Sequence, residues 1–214
     1  MSDLNIFEKL PEGYKRIMGQ EDYERAWNTV TRAFADVFYP IPSMPMSHEE
    51  YIELYGELAH YWLKHSIEHG EVIANDDDTA VLILSPADNC CDLPFDEITP
   101  KLTGYESSKA LQNAVAIMSG ACEDEKHLDV SKDGIFLEIF AVHPDIQKQG
   151  HGSRIIRELF KECDRCHKEL ALLTNAPKNV PLYEHLGFEM LFKRENKELD
   201  TTYNYMIRRP VFNR

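Results

Sequence analysis

The sequence predicts an α/β fold in which helices cover both faces of a mixed sheet. Apolar runs of strand length alternate with amphipathic helical patterns along the chain. One such run, Ile135 to Val142, leads through a glycine-containing loop into a helix that begins near Gly150. At 214 residues and 43% apolar content, the chain can bury one full core. We therefore expect a single domain over residues 1–214.

The first third of the chain alternates one strand with two helices. Residues 14–18 have the pattern of a short strand, and residues 22–38 place their apolar side chains on one helical face. Prolines between residues 40 and 45 end that helix. Ser47 and Glu50 form a capping box, which predicts a second helix that stops near Gly70.

The middle of the chain predicts a hairpin followed by a long connection. Residues 71–74 and 79–85 are two expected strands joined by an acidic turn, and we expect this hairpin at the edge of the sheet. A proline-rich loop and a helix over about 106–123 follow. Beyond the run that ends at Val142 come a helix, a strand over 170–175, a short helix and a last strand over 202–208.

Composition limits the classes of partner. The formal net charge of −14 argues against nucleic acid, whose phosphates demand Lys and Arg, and favours cationic small molecules. Neither an N-terminal apolar segment nor an apolar run long enough to cross a bilayer is present, so we expect a cytoplasmic protein without membrane contact. Five cysteines in such a chain predict free thiols, although Cys163, Cys166 and His167 leave a zinc or redox site as the alternative.

The loop before the helix at Gly150 has the chemistry of an anion site. Backbone N–H groups and the positive end of the helix dipole point at whatever lies there, and glycines allow close approach to the main chain. The spacing matches neither GxxxxGK[ST] nor GxGxxG. The sequence therefore predicts a phosphate-binding loop of another type.

Two motifs identify that type. Gln147-x-x-Gly150-x-Gly152 follows a strand ending in Val-x-Pro, and Asn179-x-x-x-Tyr183-x-x-x-Gly-Phe follows the next strand. Together they resemble the GCN5-related N-acetyltransferase (GNAT) family. The resemblance implies the GNAT-type acyl-CoA N-acyltransferase fold, a mixed, mostly antiparallel sheet with a motif core over about 135–210. Residues 86–134 then form a helical insertion, and the layout over residues 79–210 is similar to that of the puromycin N-acetyltransferase relatives.

The resemblance also implies acetyl-CoA as cosubstrate, with no metal. Tyr183 would protonate the departing thiolate, and a backbone N–H at or beside Phe140 would polarise the acetyl carbonyl. Asn175 and Asn179 could bind the pantetheine amides, or each could instead cap a helix. The full set of residues expected to bind the cofactor is Phe140, Ala141, Val142, Gln147, Lys148, Gln149, Gly150, His151, Gly152, Ser153, Asn175, Asn179 and Tyr183.

The first candidate for a general base is Glu138, which lies four residues before Val142. Alternation puts Glu138, Phe140 and Val142 on one strand face unless a β-bulge intervenes, and the resemblance implies such a bulge. The alternative is a carboxylate on a solvated face or paired with a neighbour. Glu53, Glu57 or His48 on the second helix could also take the proton through water.

The expected function is N-acetyl transfer to a primary amine, by direct attack in a ternary complex. The acceptor is expected to be a small molecule, and the helix-helix loop at 40–45 either lines its pocket or is a plain connector. Peptide or protein N-acetylation and a catalytically silent acetyl-CoA sensor are the alternatives. Either a monomer or a homodimer is compatible with the sequence.

Overall fold

The computed structural model describes residues 4–18, 20–35, 47–87 and 109–211. The proline-rich segment at 40–45 and the predicted helical residues 36–38 lie outside these ranges, as do residues 88–108, where the sequence predicts a proline-rich loop and the start of a helix. The helices and strands of the described part are β1 (Tyr14–Arg16), α1 (Gln20–Phe34), α2 (His48–His69), β2 (Glu71–Asn75), β3 (Ala80–Pro86), α3 (Lys109–Glu125), β4 (Ile135–Val142), α4 (His151–Cys166), β5 (Leu170–Thr174), α5 (Val180–His185), β6 (Glu189–Asn196) and β7 (Thr201–Arg208).

The seven strands form one sheet in the order β1-β2-β3-β4-β5-β7-β6. Every neighbouring pair is antiparallel except β4 and β5, which are parallel. The predicted mixed, mostly antiparallel sheet is therefore confirmed. The expected edge position of the β2–β3 hairpin is wrong, because β1 pairs with β2 and β3 pairs with β4. Residues 80–84 of β3 are fully buried on both faces, as is typical of a central strand.

Helices cover both faces of this sheet. On one face, α1 and α2 pack on alternate residues of β2, β3 and β4, such as Val81 and Ile83. On the other face, α4 packs on the intervening residues, such as Leu82 and Leu84, together with the N-terminal residues Ile6 and Phe7. The strands therefore need apolar side chains in both directions, which explains their continuous apolar runs.

Helix α2 begins where the sequence predicts. The Ser47 side chain accepts a hydrogen bond from the backbone N–H of Glu50, and the Glu50 carboxylate accepts one from the backbone N–H of Ser47. This capping box is confirmed, and it satisfies two N–H groups that would otherwise lack partners. The helix ends at His69, before Gly70, and its Tyr51, Tyr55 and Trp62 side chains line the cavity described below.

Helix α3 is held against the far end of the sheet by polar contacts. The Arg194 guanidinium on β6 forms an ion pair with Asp124 at 2.6 Å and donates to the carbonyl of Gly120. Two tyrosines of β7 add to this: the hydroxyl groups of Tyr203 and Tyr205 donate to the carbonyls of Ile117 and Ala121. These bonds fix the C-terminal turns of α3, and with them Cys122 and Glu125, over the sheet.

Candidate active site

The site begins where the two parallel strands separate. Strands β4 and β5 pair only at Ile135–Leu170, Phe136–Ala171 and Leu137–Leu172. Beyond Leu137, β4 continues along β3 while β5 continues along β7. In these two fully described strands, the backbone groups of 138–142 that point away from β3 have no strand partner. A ligand with amide groups can bind at such an open edge as an added strand.

A β-bulge at Glu138 changes the direction of the side chains along β4. Ile139 pairs with Ile83 and Leu137 pairs with Leu84, so Glu138 is the extra residue. The bulge implied by the resemblance is confirmed. It also means that Glu138 does not share a face with Phe140 and Val142: Phe140 packs with the α4 side of the core, whereas Glu138 lies among residues of α2 and α3.

Glu138 lies in a partly buried and acidic environment at the border of the cavity. Its Oε1 atom is buried and has no hydrogen-bond partner among the described residues. Burial raises the pKa of Glu138 well above its ordinary value, the nearby Glu125 carboxyl raises it further, and hydrogen bonds with Ser85 and Trp62 lower it in part. The alternative of a carboxylate paired with a neighbour stays open, because Glu138 forms hydrogen bonds with Ser85 and Trp62. Such a carboxyl can accept a proton near neutral pH, which an exposed glutamate does poorly.

The loop after β4 has the geometry of an anion site. A short 3-10 helix, Pro144–Ile146, leads to Gly150, which adopts a left-handed conformation with φ of +88° and caps α4. No side chain in the described part of the chain caps this helix, and the first intrahelical bond runs from the Arg154 N–H to the Gly150 carbonyl. The N–H groups of residues 151–153 therefore point out of the helix end.

The predicted loop residues divide into two groups. Two glutamine side chains brace the loop itself: Gln147 donates to the carbonyl of Val142 at 3.1 Å, and Gln149 donates to that of Asp145 at 3.2 Å. Lys148 has a positive φ of 64°, and its side chain borders the cavity with His151. Any contact of the two glutamines with a phosphate would thus come from their backbone.

Gly152 has a packing role in addition to its place in the loop. A Cβ atom there would lie 2.9 Å from Cγ2 of Val142 and 3.0 Å from Cζ of Phe140. By contrast, a Cβ at Gly150 would meet nothing within 4 Å. Gly152 therefore allows the first turn of α4 to approach β4, and a larger residue there would require the Val142 or Phe140 side chain, or the turn itself, to shift.

Tyr183 reaches the cavity from α5. Its ring packs edge-on against Phe188 with centroids 5.8 Å apart, and burial raises the pKa of its phenol to about 12. The hydroxyl has no hydrogen-bond partner among the residues that the structure describes. The phenol therefore stays protonated at neutral pH and can donate to a group that enters the cavity.

The two predicted asparagines differ in their contacts. The side-chain amide of Asn175 donates to the carbonyl of Thr202 at 3.1 Å and to the hydroxyl of Thr201 at 3.4 Å, so it ties the end of β5 to β7. Asn179 occupies the cap position of α5 without a capping side-chain hydrogen bond. Both border the cavity.

One continuous cavity of about 980 Å³ joins these parts. It runs between the separated strands, from the loop before α4 to the space under α2 and α3. At the loop end it is lined by residues 146–148 and 150–153, by 173–179 and by Tyr183. At the other end the lining residues include Phe34, Tyr51, Tyr55, Leu58, Trp62, Ile117, Ala121, Cys122, Glu125 and Glu138.

The acceptor-side residues other than Glu138 were not expected from the sequence. Glu53 and Glu57, the alternative bases, are exposed and do not border the cavity, and the His48 ring contacts the Ala35 carbonyl at 3.1 Å. Glu125 and Cys122 of α3 border the cavity instead. The sequence offered one indication that these two residues act at the same place: they are three residues apart on one helix, which puts both side chains on the same helix face.

Two of the described cysteines, Cys163 and Cys122, lie on opposite faces of the sheet. Cys163 packs in the core under α4, where burial raises the pKa of its thiol to about 12, whereas Cys122 lies near Glu138 on the opposite face. In the described part of the chain, no group of three or more His, Cys, Asp and Glu side chains could hold a metal ion.

Among the same residues, no helix has the length and apolar character needed to span a membrane.

The separated strands, the N–H groups at the start of α4 and the cavity between them define the acyl-CoA N-acyltransferase class of fold. A sequence model for the acetyltransferase (GNAT) domain matches residues 110–190. This match covers the helix α3, the loop before α4 and the segment that carries Tyr183, and it agrees with the resemblance seen in the motifs.

Solved structures show the same fold at low sequence identity. One is titled histone acetyltransferase HPA2 and related acetyltransferase, from Corynebacterium glutamicum; its TM-score is 0.63 at 14% identity, over 94% of this chain and 97% of that one. A GCN5-related N-acetyltransferase structure from Rhodopseudomonas palustris has a TM-score of 0.54 at 11% identity, over 92% and 94% of the two chains. At these identities the likeness concerns the fold alone.

Proposed function

We propose that this protein transfers the acetyl group of acetyl-CoA to the nitrogen of a small primary amine, by direct attack while both substrates are bound. The observation that carries the proposal is the single cavity between β4 and β5. It joins an anion-binding loop at one end to a buried carboxyl at the other. Acetyl-CoA and an amine can therefore meet inside it.

The residues present fit the parts of acetyl-CoA. The N–H groups of the loop and first turn, residues 147–153, would hold the diphosphate, and the open edge at Phe140, Ala141 and Val142 would pair with the pantetheine amides. Asn179, whose side chain caps nothing, is available to the same arm. Asn175 would act mainly by holding β5 against β7.

The reaction needs two proton movements. An amine enters as an ammonium ion, since its ordinary pKa is about 10.4, and it must lose one proton to Glu138 before it can attack. The nitrogen lone pair then forms the C–N bond, the C–S bond breaks, and the second nitrogen proton is released. The thiolate takes a proton from Tyr183. Tyr183 is then reprotonated, either by the second proton released from the nitrogen or by solvent. The balance is one amide, one thiol and one proton.

Two features favour a small acceptor over a peptide. The Oε1 atom of Glu138 is buried at one end of the cavity, and the walls around it are largely aromatic and apolar. A peptide backbone would bring polar groups that these walls cannot satisfy. The GNAT fold itself serves many acceptors, so this choice rests on the site alone.

Thermal unfolding with and without acetyl-CoA tests the binding half of the proposal. Ligand at about 100 times its Kd should stabilise the fold by about 2.7 kcal/mol and raise Tm by roughly 5–10 °C. Acetate and free adenosine serve as controls, and neither should match the shift. An unchanged Tm would contradict the assignment of the loop to diphosphate.

Initial-rate kinetics test the direct transfer. Because both substrates share one cavity, varying acetyl-CoA and amine together should give intersecting reciprocal plots. Among the residues that the structure describes, Cys122 is the thiol that borders the cavity, and Cys122→Ala should retain turnover. Parallel plots together with a dead Cys122→Ala variant would indicate an acyl-enzyme and overturn direct attack. Binding of acetyl-CoA without turnover of any amine would favour a silent sensor.

A further inference from the structure

The two oxygen atoms of the Glu138 carboxyl group differ in their contacts. The Oε1 atom is buried and has no hydrogen-bond partner among the described residues. The same side chain forms hydrogen bonds with Ser85 and Trp62. Because Oε1 takes part in neither bond, both go to the other oxygen, Oε2. One oxygen is therefore held by the protein, while the other remains available to a ligand in the cavity.

The strand pairing explains how Ser85 reaches this carboxyl group. Side chains of β3 alternate between the two faces of the sheet, and Val81 and Ile83 pack on the side of α1 and α2. Ser85 is the next residue in this series, so its hydroxyl group lies on the same side. The bulge of β4 turns Glu138 toward that side as well. Ser85 is only 7% exposed, and its hydroxyl group needs a partner inside the protein.

Helix α2 supplies the second donor. The indole ring of Trp62 borders the cavity, and an indole N–H group can donate a hydrogen bond but cannot accept one. The oxygen of Glu138 is therefore the acceptor in this bond. Donation favours the ionised carboxylate over the neutral acid, because the negative oxygen is the stronger acceptor.

Two sets of neighbours thus act on Glu138 in opposite directions. Burial raises its pKa most, and the Glu125 carboxyl and the Cys122 thiol, both from α3, raise it further. The hydrogen bonds from Ser85 and Trp62 lower the pKa in part. Among the described residues, β3 and α2 therefore supply the contacts that favour the form of Glu138 able to accept a proton.

From this arrangement we propose that Ser85 and Trp62 are positioning residues for the general base: they hold Oε2 of Glu138 and leave Oε1 directed at the ammonium group of the acceptor. The proposal rests on the proposed acetyl transfer and deepens it. A proton leaves the ammonium nitrogen and binds to Oε1, and the nitrogen lone pair then attacks the acetyl carbon. Neither positioning residue gains or loses a proton.

Two substitutions remove one donor each and change the shape of the site little. Trp62→Phe keeps an aromatic ring in the cavity wall and loses the N–H group, and Ser85→Ala loses only the hydroxyl group. Each loss disfavours the ionised carboxylate. We therefore expect each variant to raise the pH at which Glu138 titrates by about half to one pH unit, an amount typical of one hydrogen bond.

Carbon-13 NMR of the side-chain carboxyl groups follows this titration directly, without acetyl-CoA or an amine. The Glu138 resonance is identified by its absence in Glu138→Gln. Initial rates with saturating acetyl-CoA and n-butylamine as the probe amine give a second readout. The acidic limb of kcat/KM should move to higher pH in both variants, because the ionised form of Glu138 is the base.

The chain offers a matched control for each substitution. Trp27 does not border the cavity and donates its indole N–H to the Gly56 carbonyl at 2.7 Å, so Trp27→Phe removes a comparable bond elsewhere. Ser66 is a buried serine of α2 whose hydroxyl group has no partner in the described part of the chain, which makes Ser66→Ala the control for the loss of a hydroxyl. Neither control should move the titration of Glu138. Ser85→Thr keeps a hydroxyl group and should titrate like wild type.

The outcomes separate this inference from the proposed function. If acetyl-CoA gives no thermal shift, acetyl transfer fails and the positioning role fails with it. If acetyl-CoA binds but Glu138 titrates at the same pH in wild type, Trp62→Phe and Ser85→Ala, only the positioning role is wrong. An equal shift in Trp27→Phe or Ser66→Ala would also overturn it, because the effect would then come from loosened packing. A moved titration with an unmoved acidic limb would show that the two bonds hold a group that the reaction does not use.

Discussion

At the scale of single residues, Glu138 combines properties that oppose one another. Its burial beside Glu125 costs stability whenever the carboxyl is ionised, yet the same burial makes it a better proton acceptor once an ammonium ion enters. Folded proteins retain such groups where chemistry needs them. Among the described residues, the groups that face it are Glu125 and Cys122 from α3, Ser85 from β3 and Trp62 from α2.

Glu138→Gln should lower kcat and raise stability at the same time. Loss of the proton acceptor should reduce kcat by about 100-fold or more. The folded-state pKa is raised, so the stability contributed by the neutral carboxyl is fully present below its ordinary pKa and is lost as pH rises through the raised value. Glutamine does not ionise, so the variant should keep a higher Tm at alkaline pH.

Melting curves across pH and amine turnover by both proteins measure these effects, with Glu123→Gln as the exposed control. Each kcal/mol retained corresponds to roughly 2–4 °C in Tm for a chain of this length. If wild type and Glu138→Gln lose stability in parallel as pH rises, Glu138 is not the group that titrates. Unchanged kcat in the variant would exclude it as the base.

Tyr183→Phe should lower kcat without weakening acetyl-CoA binding. The phenylalanine ring keeps the edge-on contact with Phe188, so only the hydroxyl is lost. That hydroxyl acts on the departing sulfur, and we expect kcat to fall by about 10- to 100-fold. Single-turnover thiol release and calorimetric Kd values check both parts; an equal fall in affinity would point to a binding role instead.

At the scale of elements, the sequence predicted the motif core better than the acceptor side. The loop and α4 follow from local rules, since a strand, glycines and a helix start leave few arrangements open. Glu138 shows the limit of such rules, because strand alternation alone put it with Phe140 and Val142 until the bulge moved it to the other face. A bulge has a weaker local sequence signature than a turn. Its effect on the direction of Glu138 therefore became clear only from the pairing of β4 with β3 in the structure.

Ser153→Asp tests the anion site of α4 more cleanly than a change at Gly152. Substitution of Gly152 would press on Val142 and Phe140, which confounds binding with packing. Ser153 is exposed in the first helical turn, where an acidic side chain is favoured by the helix dipole. We therefore expect an unchanged or slightly higher Tm without ligand.

The same substitution should weaken acetyl-CoA binding by at least about tenfold, because its carboxylate would face the diphosphate. Ser153→Asn is the neutral control of similar size and should bind within a few-fold of wild type. Isothermal titration measures the affinities, and melting without ligand measures the fold. Tight acetyl-CoA binding by Ser153→Asp would place the diphosphate elsewhere.

At the scale of the whole molecule, the site is an assembly of distant segments. The acceptor end takes Tyr55 from α2, Glu125 from α3 and Glu138 from β4, and no short motif links them. Glu125 is in place because Arg194, far along the chain on β6, pairs with Asp124. Long-range contacts of this kind are not encoded in local sequence, which is why the base could be proposed from the sequence and its surroundings could not.

The net charge of −14 gives a last prediction at this scale. An acidic protein attracts a cationic amine over a distance set by the Debye length, which is about 30 Å at 0.01 M salt and about 8 Å at 0.15 M. Raising the salt across that range should therefore increase KM for the amine by a few-fold. An ammonium group next to Glu138 would be partly buried and screened less by salt, so kcat should stay constant. Initial rates at saturating acetyl-CoA in sodium chloride measure both, with sucrose at matched osmolality as the control. A KM independent of salt would mean that local contacts in the cavity, and not the field of the whole protein, attract the acceptor.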